Sequence, residues 1–465
     1  MFRSIATTLG NCFKIPELKS RILFTIMLLA VCRLAAFIVI PGIDGHALAE
    51  YMNKHAQSGG GLLVMYNTFA GGALGNCAVG ALGIMPYISA TIIIQLLTAV
   101  WPKLSKLARE EGGRTKIVQY GRYLTVVLCV GQGLYFAHNW LTPTVAFSGF
   151  EGQLVTWENH FVYYFVTVTV MTAGTMLLMW LGEQITERGI GNGVSLVITI
   201  GILARLPNAV QGAYDMFTAH GEAGEAQHNF WTTAPVLVAL MFLVVGGVIA
   251  ITQAQRKVPV QYAQRAVGRK MYAGGTSFMP LRVNYSGVMP IIFAQSILLF
   301  PQPLLQNLAT WFVKVPFLHD FFLAAAIQLN YGTLAYLSIY SLMILFFSYF
   351  WVATQFNEIQ IADDLKKNGG YIPGVRPGTG TSDYLHHAMS RITLAGAIFL
   401  TIIAVIPIIL SRQMGIDQNV ASFFGGTSIL IAVGVLLDTM RQVESHLMMR
   451  HYDGFLKKGR LRGRF

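Results

Sequence analysis

Few of the residues that usually carry catalysis fall into a pattern that catalysis could use. There is no P-loop, no H-E-x-x-H and no G-x-S-x-G, so nucleotide hydrolysis, metalloprotease chemistry and serine chemistry all lack their usual groups. The run Gly189-Ile190-Gly191-Asn192-Gly193 could cradle a phosphate, but no strand of a βαβ unit precedes it, and it reads as a tight turn opening a helix. His386 and His387 are adjacent, a poor geometry for sharing one metal on a helix. Asn284-Tyr285-Ser286 matches a glycosylation sequon, but charge places it on the inner side of a membrane. The four cysteines, at 12, 32, 77 and 129, have no C-x-x-C spacing and read as small apolar fillers. The expectation is a protein with no catalytic residues, metal site or cofactor.

The polar groups that remain lie inside apolar runs. Arg33 has no acidic partner in its own run, and burying it unpaired would cost about 2.5–3.5 kcal/mol on insertion scales. It either snorkels or faces an aqueous cavity. Gln95, Gln132 and Gln295 fall in three further runs, where amides serve as interhelical glue. A proton- or ion-coupled transporter would place carboxylates or histidines at this depth, and these runs hold almost none.

The elements that carry these groups are membrane spans. With 54% apolar residues, 12% charged residues and a mean hydropathy of +0.54, the 465-residue chain is a polytopic membrane protein. Spans are predicted at Ile22–Ile40, Cys77–Trp101, Tyr123–Trp140, Phe161–Leu181, Gly191–Leu206, Ala234–Thr252, Ser286–Leu305, Leu334–Thr354, Ile392–Leu410 and Phe423–Val443. The first run is too long for a signal-peptide core, so it is read as a span although Ala47-Leu48-Ala49 resembles a cleavage box. With both termini cytoplasmic, only Lys54, Arg205, Lys314 and Arg412 of the 33 Lys and Arg lie outside, and Arg33 lies within the first span. A bias this strong fixes the orientation and favours an even number of spans.

Ten spans divide at an outer segment, 207–233, into two five-helix halves of opposite orientation, 1–206 and 234–445, followed by a basic tail, 446–465. This is the arrangement of an inverted repeat around a central path. The longest inner loops, 253–285 and 355–390, exceed what a helix connection needs and suggest a docking surface. Between Leu62 and Trp101 a short apolar piece runs into Gly71, Gly72, Ala73, Leu74 and Gly75 before the second span. It reads equally as a re-entrant plug, 62–75, or as a surface helix on a glycine hinge.

Several long stretches resemble the SecY family of the Sec translocon. They are Phe69-Ala70-Gly71-Gly72-Ala73-Leu74, Ala81-Leu82-Gly83-Ile84-Met85-Pro86-Tyr87-Ile88-Ser89-Ala90, Trp180 through Gly193, Asp364 through Gly370, Pro373-Gly374-Val375-Arg376-Pro377-Gly378 and Phe424-Gly425-Gly426-Thr427-Ser428. The resemblance spans nearly the whole chain. It implies an all-α channel of ten helices in two inverted halves with a re-entrant plug helix, a ring of aliphatic side chains and a lateral gate to lipid. Matched by motif, the plug would contain Tyr66, Asn67, Phe69, Gly71, Gly72 and Leu74. The ring would be Ile84, Ile88, Ile198, Ile292 and Ile403; a narrow aliphatic constriction dewets and blocks ions while yielding to a chain that fills it. Gln95, Gln132 and Gln295 would form a polar latch on the gate. Arg265, Arg269, Lys270 and Arg376 would dock the SecA ATPase or the ribosome.

The function so implied is that of a non-enzymatic channel subunit of the bacterial cytoplasmic (inner) membrane. It would pass unfolded preproteins across and release transmembrane segments sideways; the alternative class is an inverted-repeat secondary transporter for a small solute. The implied partners are SecE-like and SecG-like small membrane subunits, SecA, the ribosome, signal sequences and preproteins, lipid, and a membrane insertase. Two departures stand out. Glu358 follows Asn357 where the family often has Pro, and Gly75, Asn76 and Cys77 replace a more usual polar or basic set.

Overall fold

The computed structural model describes residues 15–45, 47–51, 66–110, 112–143, 150, 152–218, 230–262, 265–267, 270–272, 275–298, 301–414, 420, 423 and 426–458. Each of the ten apolar runs contains a helix. These are α1 (Pro16–Leu34), α2 (Met85–Val100), α4 (Gly113–Leu141), α5 (His160–Arg188), α6 (Gly193–Leu203), α8 (Phe230–Gln253), α9 (Met289–Leu298), α12 (Leu334–Gln355), α14 (Thr379–Met414) and α15 (Thr427–Lys458). The shorter helices α3 (Pro102–Arg109), α7 (Leu206–Thr218), α10 (Pro301–Trp311), α11 (Pro316–Gln328) and α13 (Glu358–Lys367) connect them. Among the described residues five helical stretches are long and apolar enough to cross a membrane, with a sixth if α2 and α3, bent by 103°, are taken together.

Several boundaries differ from the hydropathy reading: the seventh run, Ser286–Leu305, holds α9 and the start of α10 instead of one helix, and α4 and α14 begin about ten residues before their apolar runs. The first run ends its helix at Leu34, because the backbone beyond it pairs with another segment: Val79 N donates to Ile38 O at 2.8 Å, Gly80 N to Ala35 O at 2.9 Å and Ile40 N to Cys77 O at 2.9 Å. The second run begins as a series of turns through Ile84, and its helix starts only at Met85, with Pro86 in the first turn. Proline suits that place because the first-turn amides have no helical acceptor.

Contacts gather the chain into two units. The first comprises Met1–Gln227, Asp417–Val420 and Ile431–Phe465; the second comprises His228–Ile416 and Ala421–Leu430. In the first unit Gly182 and Gly193 let α5 and α6 meet backbone to backbone, since a Cβ on Gly193 would lie 1.9 Å from the Gly182 carbonyl. Arg122 of α4 grips Glu183 of α5 with both ends of its guanidinium, at 3.2 and 2.7 Å, the fork geometry that strengthens such pairs. From Ile431 on, α15 belongs to this unit: Val443 and Leu447 pack beside Leu18 and Ile190, and Gly191 N donates to Gln442 Oε1 at 2.9 Å.

In the second unit the loop after α8 is a sheet, which the sequence reading left without secondary structure. Strand β1 (Gln255–Tyr262) lies between β4 (Thr276–Arg282) and β5 (Gly370–Tyr371), antiparallel to both. A two-stranded ribbon, β2 (Arg265–Val267) and β3 (Lys270–Tyr272), lies between β1 and β4 in the chain. Alternation along β1 turns Val258 and Val260 inward, and Val258 packs with Leu281, Phe356, Ile372, Leu385 and Met389. The Gln355 end of α12 and the Thr379 end of α14 are thereby joined to the sheet by one apolar core.

Candidate plug and pore residues

The glycine-rich stretch folds into the first unit as a compact, non-helical knot. A helical turn over residues 66–69 is followed by turns through residue 84; residues 62–65 of the expected plug lie outside the described residues. Gly71, Gly72 and Gly83 have φ of 66°, 90° and 58°, the left-handed region that an L side chain resists. Gly71 is further constrained, because a Cβ there would fall 2.5 Å from Arg33 Nη1 and 2.9 Å from Gly201 Cα. The knot closes on itself through side chains: Asn67 Oδ1 accepts from Gly75 N at 2.9 Å and Tyr66 Oη donates to Leu82 O at 2.9 Å. Tyr66, Asn67, Phe69 and Leu74 are all buried, with the Tyr66 ring 5.3 Å from that of Phe136. The departure at Gly75 thus accommodates Asn67, and Cys77, with φ of 48°, sits fully buried in the turn.

Two arginines hold this knot from outside. Arg33, the unpaired cation of the first span, donates from Nη1 to the Gly71 carbonyl at 2.9 Å, and its guanidinium lies 5.2 Å from the Phe37 ring centroid. Arg205, at the α6–α7 turn, donates from Nη1 to Thr68 Oγ1 at 3.3 Å. Of the two alternatives for Arg33, the structure has it lining a small cleft, and there it finds a partner in a backbone carbonyl 38 residues away. Arg205 counted in the sequence reading only as an outer-side charge; nothing in its spacing pointed to Thr68. A small cleft beneath the knot is lined by Arg33, Phe69, Ala70, Ile84, Val197 and Gly201, among others.

The five ring candidates are all buried. Ile84 caps the start of α2, Ile88 lies one turn on, and Ile198 sits midway along α6, all in the first unit. In the second unit Ile292 lies in α9, and Ile403 of α14 packs over α8, its Cδ1 only 2.8 Å from where a Cβ on Gly247 would stand. Of the amides, Gln95 and Gln132 are half-buried on α2 and α4. Gln295 is fully buried in α9 against Tyr340 of α12, and neither of its amide atoms has a well-formed hydrogen bond among the described residues.

The docking candidates lie on the loops joined to the sheet. Arg265 opens β2 opposite Tyr272, Lys270 opens β3 opposite Val267, and Arg269 lies outside the described residues. Arg376 is exposed after β5, in a turn closed by Thr381 Oγ1 donating to the Arg376 carbonyl at 3.1 Å. The entry to α13 is settled without proline: Asn357 Oδ1 accepts from Gln360 N at 3.1 Å as a helix cap, and Glu358 Oε1 meets His386 Nδ1 at 3.1 Å. Among the described residues no group of three or more His, Cys, Asp or Glu side chains converges as a metal site.

Comparison with known proteins is consistent along the length of the chain. The sequence pattern of the SecY family matches residues 78–440. The protein translocase subunit SecY of Chlamydia trachomatis serovar D is 42% identical over 467 residues, covering 98% of this chain and 99% of that relative. The protein of the same description from Escherichia coli K12 is 42% identical over 449 residues, covering 96% of each. Among solved structures, a protein conducting channel superposes with a TM-score of 0.55 at 17% identity, covering 91% of both chains. Sec61 in the canine ribosome-channel complex from the endoplasmic reticulum gives 0.53 at 16% identity, also covering 91% of both. These two likenesses speak to the fold.

Proposed function

The chain belongs to the SecY family, and from that premise we propose how its parts divide the work of a protein-conducting channel. It is the channel subunit of a protein translocase, a multi-pass membrane protein through which unfolded preproteins pass and from which apolar segments leave for the lipid. The observation that carries the division of labour is the knot of residues 66–84, folded over Ile84 and held by Arg33. A folded plug on an aliphatic constriction closes the path to ions, and its displacement opens the path to a chain.

In this reading Ile84, Ile88, Ile198, Ile292 and Ile403 form the constriction, and Gln95, Gln132 and Gln295 form a polar latch on the lateral gate. Gln295 supports the latch in being a fully buried amide that rests on the Tyr340 side chain, a polar contact inside an apolar helix pair. Arg265, Arg269, Lys270 and Arg376 are the docking residues, since basic side chains would attract the phosphates of ribosomal RNA or an acidic surface on SecA. Small SecE-like and SecG-like subunits complete the channel, and a membrane insertase receives some of its clients. Both termini face the cytoplasm in this reading, which the Lys and Arg distribution supports. The channel performs no chemistry of its own; the work comes from SecA, from the translating ribosome or from the membrane potential.

The test is reconstitution of the chain with its SecE-like and SecG-like partners in liposomes. Addition of SecA and ATP is expected to bring an added preprotein into protease protection. Uptake of a small solute without preprotein transport would overturn the reading in favour of a transporter.

A further inference from the structure

The loop between α9 and α12 folds as a helical hairpin of α10 and α11 whose apolar side chains point outward. Trp311 is 78% exposed and Phe317 79%, with Leu304, Val313, Phe321 and Ile327 exposed beside them. Helix α11 reads Pro-Phe-Leu-His-Asp-Phe-Phe-Leu-Ala-Ala-Ala-Ile-Gln, and among its residues only Ala326 is buried. A helix apolar on every side is normally enclosed by protein or by lipid. Its one histidine is turned inward, Nδ1 lying 2.9 Å from the Ala309 carbonyl of α10, which leaves Asp320 as the exposed charge of the helix.

The depth of the hairpin follows from its neighbours. At 22 residues α12 is about 33 Å long, enough for a hydrocarbon core of about 30 Å. Helix α9 has 10 residues, about 15 Å, and runs antiparallel to α12: Phe293 meets Phe347 and Trp351 at 5.8 and 5.3 Å, while Gln295 lies against Tyr340. Counting along both helices leaves Leu298 on the order of 10 Å short of the Leu334 end of α12. Helix α10 starts three residues later, at Pro301, a reach of at most about 10 Å, so it begins no farther out than about the Leu334 end of α12.

We propose that the α10–α11 hairpin is embedded in the outer leaflet, where lipid acyl chains surround it and anchor the outer ends of α9 and α12. Lipid is favoured over a docked protein because the exposed apolar residues Phe317, Phe321, Leu323 and Ile327 spread over nearly half of the α11 circumference, the face with Leu318 and Phe322 being turned to α10, and a docked helix covers a narrower stripe. The apolar surface also continues into Leu334, 83% exposed at the start of α12, and the exposed Trp311 suits an interfacial position. The inference rests on reading α12 as a span.

The experiment places an environment-sensitive fluorophore on Phe317→Cys or Phe321→Cys, in a cysteine-free background of the whole channel complex in nanodiscs. Lipids carrying a doxyl quencher on the acyl chain and iodide in the buffer are the two probes. A label on Leu342→Cys, an exposed position midway along α12, is the control. Doxyl lipid is expected to quench the hairpin labels at least twofold while iodide leaves them unchanged. Quenching by iodide, or protection from both probes by a covering protein, would overturn the proposal. If Leu342→Cys itself escapes the doxyl lipid, the reading of α12 as a span fails instead. Two labelled positions guard against one variant failing to fold, which gel filtration of the complex reports.

Discussion

Replacing Arg33 by leucine should loosen the plug without unfolding the protein. The guanidinium donates to the Gly71 carbonyl at 2.9 Å, and a hydrogen bond from a charged group contributes about 1.5–3 kcal/mol. If that bond exists only while the plug is seated, its loss shifts the closed-to-open equilibrium by about 10- to 150-fold, at 1.4 kcal/mol per factor of ten. The Arg205–Thr68 contact is longer, 3.3 Å, and ends on a neutral hydroxyl, so it holds the knot less firmly and keeps the variant from opening fully. Folding should not suffer, since leucine at this depth avoids the insertion cost of an arginine. Arg33→Lys keeps the charge but loses the planar fork, and should fall between the two. The assay is single-channel recording in planar bilayers with no preprotein present, where the open probability should rise at least tenfold for Arg33→Leu. An open probability within twofold of the parent, in a variant that purifies as the intact complex, would refute the argument that Arg33 holds the plug.

Three further predictions test the other parts. Deleting Tyr66 through Ala73 should leave a channel that still translocates but leaks ions, read as closed-state conductance; unchanged conductance would count against a plug. Arg376→Glu should abolish SecA-driven transport in a protein of normal expression and gel-filtration profile, because Arg376 is exposed and the turn around it is closed through its backbone carbonyl, which the substitution keeps. Changing Gln95, Gln132 and Gln295 to leucine together should relax signal-sequence selectivity, so that preproteins with defective signals are protected at rates closer to normal. Unchanged selectivity would remove the latch.

The helices were legible because membrane burial writes itself as long apolar runs and lopsided loop charge: all ten runs carry helices, five of them, or six with α2 and α3 taken together, long and apolar enough to cross a membrane among the described residues. What hydropathy could not show was where an apolar run stops being helical. Residues 35–40 are as oily as the rest of the first run, yet they pair their backbone with residues 77–80, a partnership that depends on tertiary contact. The plug was legible as a stretch of glycines, but its fasteners were not. Arg33 could be recognised as a charge in need of a partner, and that partner is a carbonyl, which every residue carries and no motif marks. Arg205 was hidden by the charge bookkeeping itself, which assigns a cation at a span end to the loop. The sheet after α8 had a signal that went unread: Val258 and Val260 alternate with polar or exposed neighbours at the period of a strand, in a loop whose basic residues drew attention to charge alone. Likewise, the apolar residues of α11 were present in the sequence, but a 13-residue helix is too short to count as a span.

The central claim, that a polypeptide passes through the isoleucine ring after the plug yields, is tested most directly by photo-crosslinking from the ring to a stalled chain. A photoreactive residue placed at each of Ile84, Ile88, Ile198, Ile292 and Ile403 in turn would be combined with a preprotein arrested midway. The account predicts that all five positions capture the preprotein when it is arrested and none does when the channel is idle. Capture at Ile84, Ile88 and Ile198 alone would remove Ile292 and Ile403 from the ring, and capture at none of the five would contradict the account.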